Sequence, residues 1–333
     1  MRIAINGFGR IGRTVFRILN QRSDLQLVAI NDIASDDALV YLLKYDTVMG
    51  PLKEAVTLKD SRLITERHEV EMIAERDPGT LPWKDLSVDV VVESTGVFRT
   101  RDTIQPHLDA GAKRVILTVP AKDEIDYTVV IGVNDSGLKP AHTIVSNASC
   151  TTNCLAPMAK VLSDEFGIDY GVINTIHAYT NDQRLADVPH SDWRRSRAAA
   201  ENVILTSTGA ARAVGRVLPE LKGKLDGIAM RVPVPDGSVV DFVSRLRSDV
   251  TPEMINEAVL EASKTERMNR ILEYSTTPIV SSDIIGNPHS SVYDAPFTRV
   301  LEGNLVKTLN WYDNEWGYSN RVVDLIDLIA NWN

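Results

Sequence analysis

The sequence predicts an α/β protein built in two different halves. The first is an open, mostly parallel sheet wound with helices; the second is α+β, with a mostly antiparallel or mixed sheet. Three observations carry this. A short apolar strand at the N-terminus runs directly into Gly7-Phe8-Gly9-Arg10-Ile11-Gly12 and then a helical pattern. Further short apolar runs, each ending in polar or small residues, follow as far as residue 131. Beyond Cys150, alternating strand patterns dominate and helices stand apart from them. A chain of 333 residues is long enough for about two domains.

Arg2-Ile3-Ala4-Ile5-Asn6 is the first strand, and Ile11, Val15, Ile18 and Leu19 share one helical face after the glycine run. Residues 26–30 form a second strand that ends in Asn31-Asp32. Strand, G-x-G-x-x-G, helix, strand and an acid 20 residues past the third glycine make a dinucleotide-binding pattern. Gly7 allows the tight turn, Gly9 lets a pyrophosphate approach the backbone, and Gly12 lets helix and strand pack closely, with the helix N-terminus facing the phosphates. Asp32 can accept hydrogen bonds from both adenosine ribose hydroxyls and repels a 2′-phosphate, so NAD is expected rather than NADP. The first half is therefore expected to be a Rossmann-type NAD-binding domain; the alternative is a glycine turn in an unrelated α/β domain. Strands at 90–93, 115–117 and 129–131 end in Ser94-Thr95-Gly96, in Thr118, and in Gly132 with Asn134. These are candidate cofactor contacts, because ligands of open α/β sheets sit at the carboxyl ends of strands. The more polar stretch 53–83 reads as an extra excursion of the sheet.

In the second half, strands are expected at 171–177, 227–232, 238–246 and 306–311, with helices near 210–217 and 252–264. Thr251-Pro252-Glu253 is a helix start: a cap residue, proline at the first position, then an acid. Residues 318–332 place Val322, Leu325, Ile326 and Ile329 on one face of a final helix that packs back on another element.

Bulk properties exclude several classes. A net charge of −9 argues against general affinity for nucleic acid or anionic membranes. No apolar run reaches membrane-spanning length. Met1-Arg2 leads straight into a strand, so no secretory signal is expected. Cys150 and Cys154 are the only cysteines, too few for a disulfide framework, which fits a reducing cytoplasm. No zinc-type Cys/His spacing is present, and no metal is expected.

The chemistry centres on Ser149-Cys150-Thr151-Thr152-Asn153, just ahead of a helical run. A helix N-terminus favours negative charge, so Cys150 can be a low-pKa thiolate, and the hydroxyls of Ser149 and Thr151 can seat an anion beside it. The alternative is a buried structural cysteine. A nucleophilic cysteine needs a base or cation. His177 ends an apolar strand just before Thr180-Asn181-Asp182-Gln183 and is the best-placed histidine; the alternative is a satisfied structural histidine. His68, His107, His142, His190 and His289 read as surface residues. Arg194-Arg195-Ser196-Arg197 is either a solvated face or an anion site. Thr206-Ser207-Thr208-Gly209-Ala210 leads into a helix and is a second possible phosphate seat. Arg231 interrupts an apolar strand and needs an anionic partner.

These motifs, with Ser146 through Cys154, Tyr179 through Gln183 and Trp311-Tyr312-Asp313-Asn314-Glu315-Trp316-Gly317-Tyr318-Ser319, run the length of the chain, which closely resembles the phosphorylating glyceraldehyde-3-phosphate dehydrogenases. The resemblance implies NAD-dependent oxidation of glyceraldehyde 3-phosphate to 1,3-bisphosphoglycerate through a Cys150 thioester, a step of glycolysis and gluconeogenesis. It implies Cys150 as nucleophile and His177 as its base, with Thr180, Asp182 and Arg231 around the substrate phosphate. Ser149, Thr151, Thr208 and Gly209, with Arg195 nearby, would take inorganic phosphate. Arg10, Ile11, Asp32, Arg76, Thr118 and Asn314 would contact NAD, Asn314 at the nicotinamide carboxamide. It further implies a cofactor domain of residues 1–148 completed by a helix over 314–333, a catalytic and oligomerisation domain of 149–313, and a homotetramer in which the loop 178–201 packs near a neighbour's cofactor. The alternatives are a dehydrogenase of erythrose 4-phosphate, which the 180–183 and 208–210 segments disfavour, and a non-catalytic NAD- or redox-sensing protein that would need neither anion site. Two departures stand out. Met49 lies where the family commonly has histidine, and Pro235-Asp236-Gly237-Ser238 replaces a usual Pro-Asn-Val-Ser. Neither is expected to touch the chemistry.

Overall fold

The structure, a computed structural model, describes residues 1–332. The chain forms two compact units, one of residues 1–129, 136–148 and those from 319 onward, the other of 130–135 and 149–318.

In the first unit β1 (Arg2–Asn6), α1 (Arg10–Leu19), β2 (Gln26–Asn31) and α2 (Asp36–Lys44) lead into three short strands, β3 (Thr57–Lys59), β4 (Arg62–Ile64) and β5 (Glu69–Ile73). Then come β6 (Val90–Glu93), α3 (Arg101–Asp109), β7 (Arg114–Leu117), β8 (Tyr127–Thr128) and β9 (Ile144–Ser146). The sheet order is β3-β4-β5-β2-β1-β6-β7-β9-β8, parallel from β5 onward. The polar excursion is thus the antiparallel edge β3-β4-β5. Central strands buried on both faces read as unbroken apolar runs, and Val90-Val91-Val92 is 0% exposed throughout. The strand expected at 129–131 does not form. Gly132 takes a φ of +83° and the Val130 N–H donates to Asn134 Oδ1 at 2.8 Å, which turns the chain out of the ladder. β9 takes that place beside β7. Gly132 and Asn134, expected near the cofactor, belong to the other unit.

Two of the five surface-assigned histidines are core residues. Trp83 donates its indole N–H to His107 Nδ1 at 3.0 Å, and His107 Nε2, 3.2 Å from Glu93 Oε2, donates to that carboxylate. His68 donates from Nε2 to Leu19 O at 3.1 Å. Their polar sequence neighbours concealed these partners, which come from other elements.

The second unit opens on α4 (Cys150–Phe166) and β10 (Ile168–Ala178), then β11 (Ile204–Ser207), α5 (Ala210–Val217), β12 (Leu225–Val232) and β13 (Ser238–Leu246). α6 (Pro252–Lys264), β14 (Leu272–Ser275), β15 (Ser291–Asp294), β16 (Arg299–Leu301) and β17 (Leu305–Tyr312) follow. The sheet order is β11-β12-β10-β13-β17-β15-β14, with β16 on β17. It is mixed: β10 pairs parallel with β12 and antiparallel with β13. α6 starts as expected, the Thr251 side chain accepting from Met254 N. The last helix, α7 (Trp316–Ala330), spans the switch back to the first unit; Asn333, within the helix expected there, lies outside the described residues. No helix among the described residues is long and apolar enough to cross a membrane.

Candidate active site

In the first unit a cleft of ≈ 370 Å³ opens at the carboxyl ends of β1, β2 and β6, lined in part by Gly7, Gly9, Asp32, Arg76, Ser94 and Thr95. The glycines explain its shape. Gly7 has φ +92°, and a Cβ there would sit 2.6 Å from Thr95 N; a Cβ on Gly12 would sit 2.2 Å from Gly7 O, so α1 packs directly on the turn. A Cβ on Gly9 would meet nothing within 4 Å, leaving backbone exposed where α1 begins, as a pyrophosphate requires. Asp32 is held by two backbone donors, Phe8 N to Oδ2 at 2.7 Å and Ala34 N to Oδ1 at 3.0 Å. Its remaining lone pairs suit ribose hydroxyls, so the residues present fit NAD.

Among the other expected cofactor residues, Gly12 serves packing, and Arg10 is paired with Asp46 at 2.5 Å. Thr118 is buried, donating from Oγ1 to Glu93 O at 3.2 Å; neither it nor Ile11 lines the cleft. Asn6, Asn31, Glu75 and Phe98 line it and were not singled out from the sequence. Asn6 and Asn31 are the last residues of β1 and β2, so the strand-end rule could have found them. They are linked, Asn31 Nδ2 donating to Asn6 Oδ1 at 2.6 Å and Asn6 Nδ2 to Glu93 Oε2 at 2.5 Å.

The second unit assembles the reactive groups. Cys150 is the first residue of α4, and its sulfur lies 3.5 Å from His177 Nε2. His177 and Arg231 are register partners on the parallel strands β10 and β12, so their side chains emerge together. Ala178 O lies 2.7 Å from His177 Nδ1 and accepts from Arg231 Nη1 at 3.0 Å. With its proton on Nδ1, shared with Ala178 O, the imidazole leaves Nε2 to take the proton of Cys150, whereas a guanidinium donor against Nδ1 favours the opposite tautomer. Arg231 Nη1 also stands 2.6 Å from Nδ1. Burial, then the Arg231 charge, push the His177 pKa down to about 3, so the imidazole is neutral at ordinary pH. Arg231 Nε is buried with no partner among the described residues, an open donor suited to an anion.

Cys150 differs from the expected low-pKa thiolate. Burial pushes its thiol up, opposed by the Arg231 charge and by hydrogen bonds from Thr151. The free pair is therefore thiol and neutral imidazole, because a helix terminus offers partial charge only and desolvation outweighs it. Cys154 is fully buried, Sγ 3.5 Å from Asn310 O.

The anion-site residues are placed unevenly. Ser149, expected as part of an anion seat, also caps α4, its side chain accepting from Thr152 N at 3.1 Å. Thr151 is 5% exposed, and its Oγ1 is 2.8 Å from the Tyr312 hydroxyl. Tyr312, 1% exposed and also bonded to Thr175, was not foreseen, because its partners lie 161 and 137 residues away. Thr208 Oγ1 accepts from Ala210 N at 3.1 Å at the start of α5, and a Cβ on Gly209 would meet open space. Arg195 donates from Nε to Thr206 Oγ1 at 2.9 Å and pairs with Asp182. Asp182, expected beside the substrate phosphate, is exposed and paired with Arg195. Thr180 is half-buried, its N–H donating to Gln183 Oε1 at 3.3 Å.

Comparison with known proteins agrees across the chain. The family described as "Glyceraldehyde 3-phosphate dehydrogenase, NAD binding domain" matches residues 1–101, and "Glyceraldehyde 3-phosphate dehydrogenase, C-terminal domain" matches residues 149–314. The glyceraldehyde-3-phosphate dehydrogenase of Borreliella burgdorferi is 57% identical over 331 residues, covering 98% of each chain. That of Priestia megaterium is 54% identical, covering 99% of this chain and 98% of its own. That of Streptomyces coelicolor is 52% identical, covering 99% of both.

Proposed function

The chain belongs to the glyceraldehyde-3-phosphate dehydrogenase family and is an NAD-dependent oxidoreductase, and from that premise we propose that it oxidises glyceraldehyde 3-phosphate and captures the product as an acyl phosphate through a Cys150 thioester. The observation that carries this reading is the Cys150–His177 contact of 3.5 Å beside Arg231, whose Nε is an unfilled donor. Gly7, Gly9, Asp32 and Arg76 would hold NAD, and Asn314 would serve the nicotinamide. Bound NAD supplies the hydride acceptor.

The residues of the chain move the protons. His177 Nε2 takes the Cys150 thiol proton as sulfur bonds to the aldehyde carbon, then returns it to the carbonyl oxygen, giving a hemithioacetal. The backbone N–H of Cys150, free at the helix start, favours charge on that oxygen. As hydride leaves the carbon, His177 takes the hydroxyl proton back and a thioester forms. An oxygen of inorganic phosphate then attacks the thioester carbon, the C–S bond breaks, and His177 reprotonates the sulfur. The thioester keeps the oxidation energy available for the acyl phosphate. Arg231 takes the substrate phosphate in this reading; Ser149, Thr151, Thr208, Gly209 and Arg195 serve the second anion.

Residues 1–148 with the final helix would serve the cofactor, and 149–313 catalysis and assembly. A cytoplasmic homotetramer fits the exposed apolar row Tyr170, Val172, Leu205 and Ile228, which lies on neighbouring strands of the second sheet. Exposed Trp193, in the 178–201 loop, fits the same role. The test is NADH formation with glyceraldehyde 3-phosphate or erythrose 4-phosphate, each with and without phosphate. The expected result is a higher kcat/KM for the triose and sustained turnover only with phosphate. Preference for the tetrose, or phosphate-independent turnover, would overturn the substrate reading.

A further inference from the structure

The segments that wall the cofactor cleft are tied to one buried carboxylate. Asn6 ends β1, Asn31 ends β2, Glu75 follows β5 and Thr95 follows β6, and all of them line the cleft. Glu93, the last residue of β6, is 1% exposed and lines no part of it. Its Oε1 accepts from Thr95 N at 2.8 Å and from the Thr95 hydroxyl. Its Oε2 accepts from Asn6 Nδ2 at 2.5 Å and from His107 Nε2 at 3.2 Å.

The direction of each bond in this network is fixed from its two ends. At one end the Trp83 indole, which can only donate, stands 3.0 Å from His107 Nδ1, so the His107 proton sits on Nε2 and points at Glu93. At the other end the Glu75 backbone grips the Asn31 amide. The Glu75 N–H donates to Asn31 Oδ1 at 2.8 Å, and the Glu75 carbonyl accepts from Asn31 Nδ2 at 2.9 Å. Asn31 therefore cannot turn its amide over. Its Nδ2 also donates to Asn6 Oδ1 at 2.6 Å, which fixes Asn6 with Nδ2 toward Glu93. Glu93 thus faces donors on both oxygens, and only a carboxylate accepts at both. A glutamine has one accepting end. Whichever way it turned, its NH₂ would meet either the Thr95 N–H or the donors of Asn6 and His107, leaving buried donors unpaired.

The latch extends to the glycine turn. Ser94 Oγ donates to Gly7 O at 2.6 Å, and Gly7 N donates to Asn31 O at 2.8 Å. A Cβ on Gly7 would sit 2.6 Å from Thr95 N, so the turn is pressed against a residue that Glu93 holds directly. We propose that Glu93 is the positioning residue of this cleft, holding the ends of β1, β2 and β6 in the one register that receives NAD. The inference rests on the reading of the cleft as the NAD site. With the latch broken, Thr95 and Asn6 relax toward other acceptors, and binding must pull them back. Affinity then falls by the fraction of molecules still in register.

The test compares the native full-length chain with Glu93→Gln and with the double variant Asn6→Asp/Glu93→Gln, which moves the carboxylate along the network. In the double variant the glutamine oxygen serves Thr95 and its nitrogen donates to the new carboxylate at position 6. That carboxylate also accepts from Asn31 and, across the native 3.4 Å separation, from His107. Glu93→Gln should raise the Kd and KM for NAD by about tenfold or more, while kcat at saturating NAD and the KM for the triose change less than about threefold. The double variant should return the Kd for NAD to within about threefold of native. A merely structural role would lower Tm and leave NAD affinity alone. That result, or a double variant as weak as the single one, would overturn the proposal. Asp32→Ala is the control for the cleft, because it removes the ribose acceptor: native NAD affinity in that variant would overturn the cleft reading, and the latch with it. Should Glu93→Gln alone not fold, the double variant decides. Near-native NAD affinity supports the latch, and weak binding or failure to fold refutes it.

Discussion

Cys150→Ser is expected to abolish turnover, to below roughly 10⁻³ of the native rate, while NAD binding persists. A serine hydroxyl in the same position is a far weaker nucleophile than sulfur. His177 Nε2, 3.5 Å away, cannot compensate, because burial and Arg231 depress its basicity. An oxygen ester would also lose the activation that lets phosphate attack a thioester. Binding should survive because the cleft lined by Gly7, Gly9, Asp32 and Arg76 belongs to the other compact unit. The paired measurement is steady-state NADH formation and NAD titration on the same preparation. Turnover within tenfold of native would remove Cys150 from the chemistry.

His177→Asn is expected to lower kcat by about 10²–10⁴-fold, the range of a lost general acid–base group. The pH profile separates this from a structural defect. With its pKa near 3, His177 remains a neutral base at all ordinary pH values, so the native enzyme should show no fall in rate from histidine protonation between pH 7 and 5. Without the imidazole only the ionised thiol reacts, and burial has pushed that ionisation up. The variant's rate should therefore rise by about tenfold per pH unit toward alkaline pH. A uniformly reduced rate with the native profile would make His177 a structural residue.

The contrast between what the sequence displayed and what it hid follows from contact distance along the chain. Central strands such as Val90–Glu93 and the start of α6 at Thr251 are written in local pattern, because burial on both faces demands apolar runs and helix starts demand caps. The turn at Gly132 overrode an equally apolar run at 129–131 through backbone N–H groups that donate to the side chains of Asn134 and Asp135. At the site, local signals marked a cysteine at a helix start and a histidine at a strand end. Their 3.5 Å approach and the Tyr312 hydroxyl between Thr151 and Thr175 come from packing between distant segments. The acidity of Cys150 was misjudged for the same reason: the helix start is visible in sequence, but the desolvation that outweighs it is not.

The central claim is a thioester on Cys150 that only phosphate resolves. Rapid mixing of the enzyme with NAD and glyceraldehyde 3-phosphate, phosphate omitted, tests it directly. The predicted result is a burst of about one NADH per active site, an acyl group located on Cys150 by peptide mass spectrometry, and resumed turnover when phosphate is added. Steady NADH formation without a burst, or a burst with no acyl group on Cys150, would contradict it.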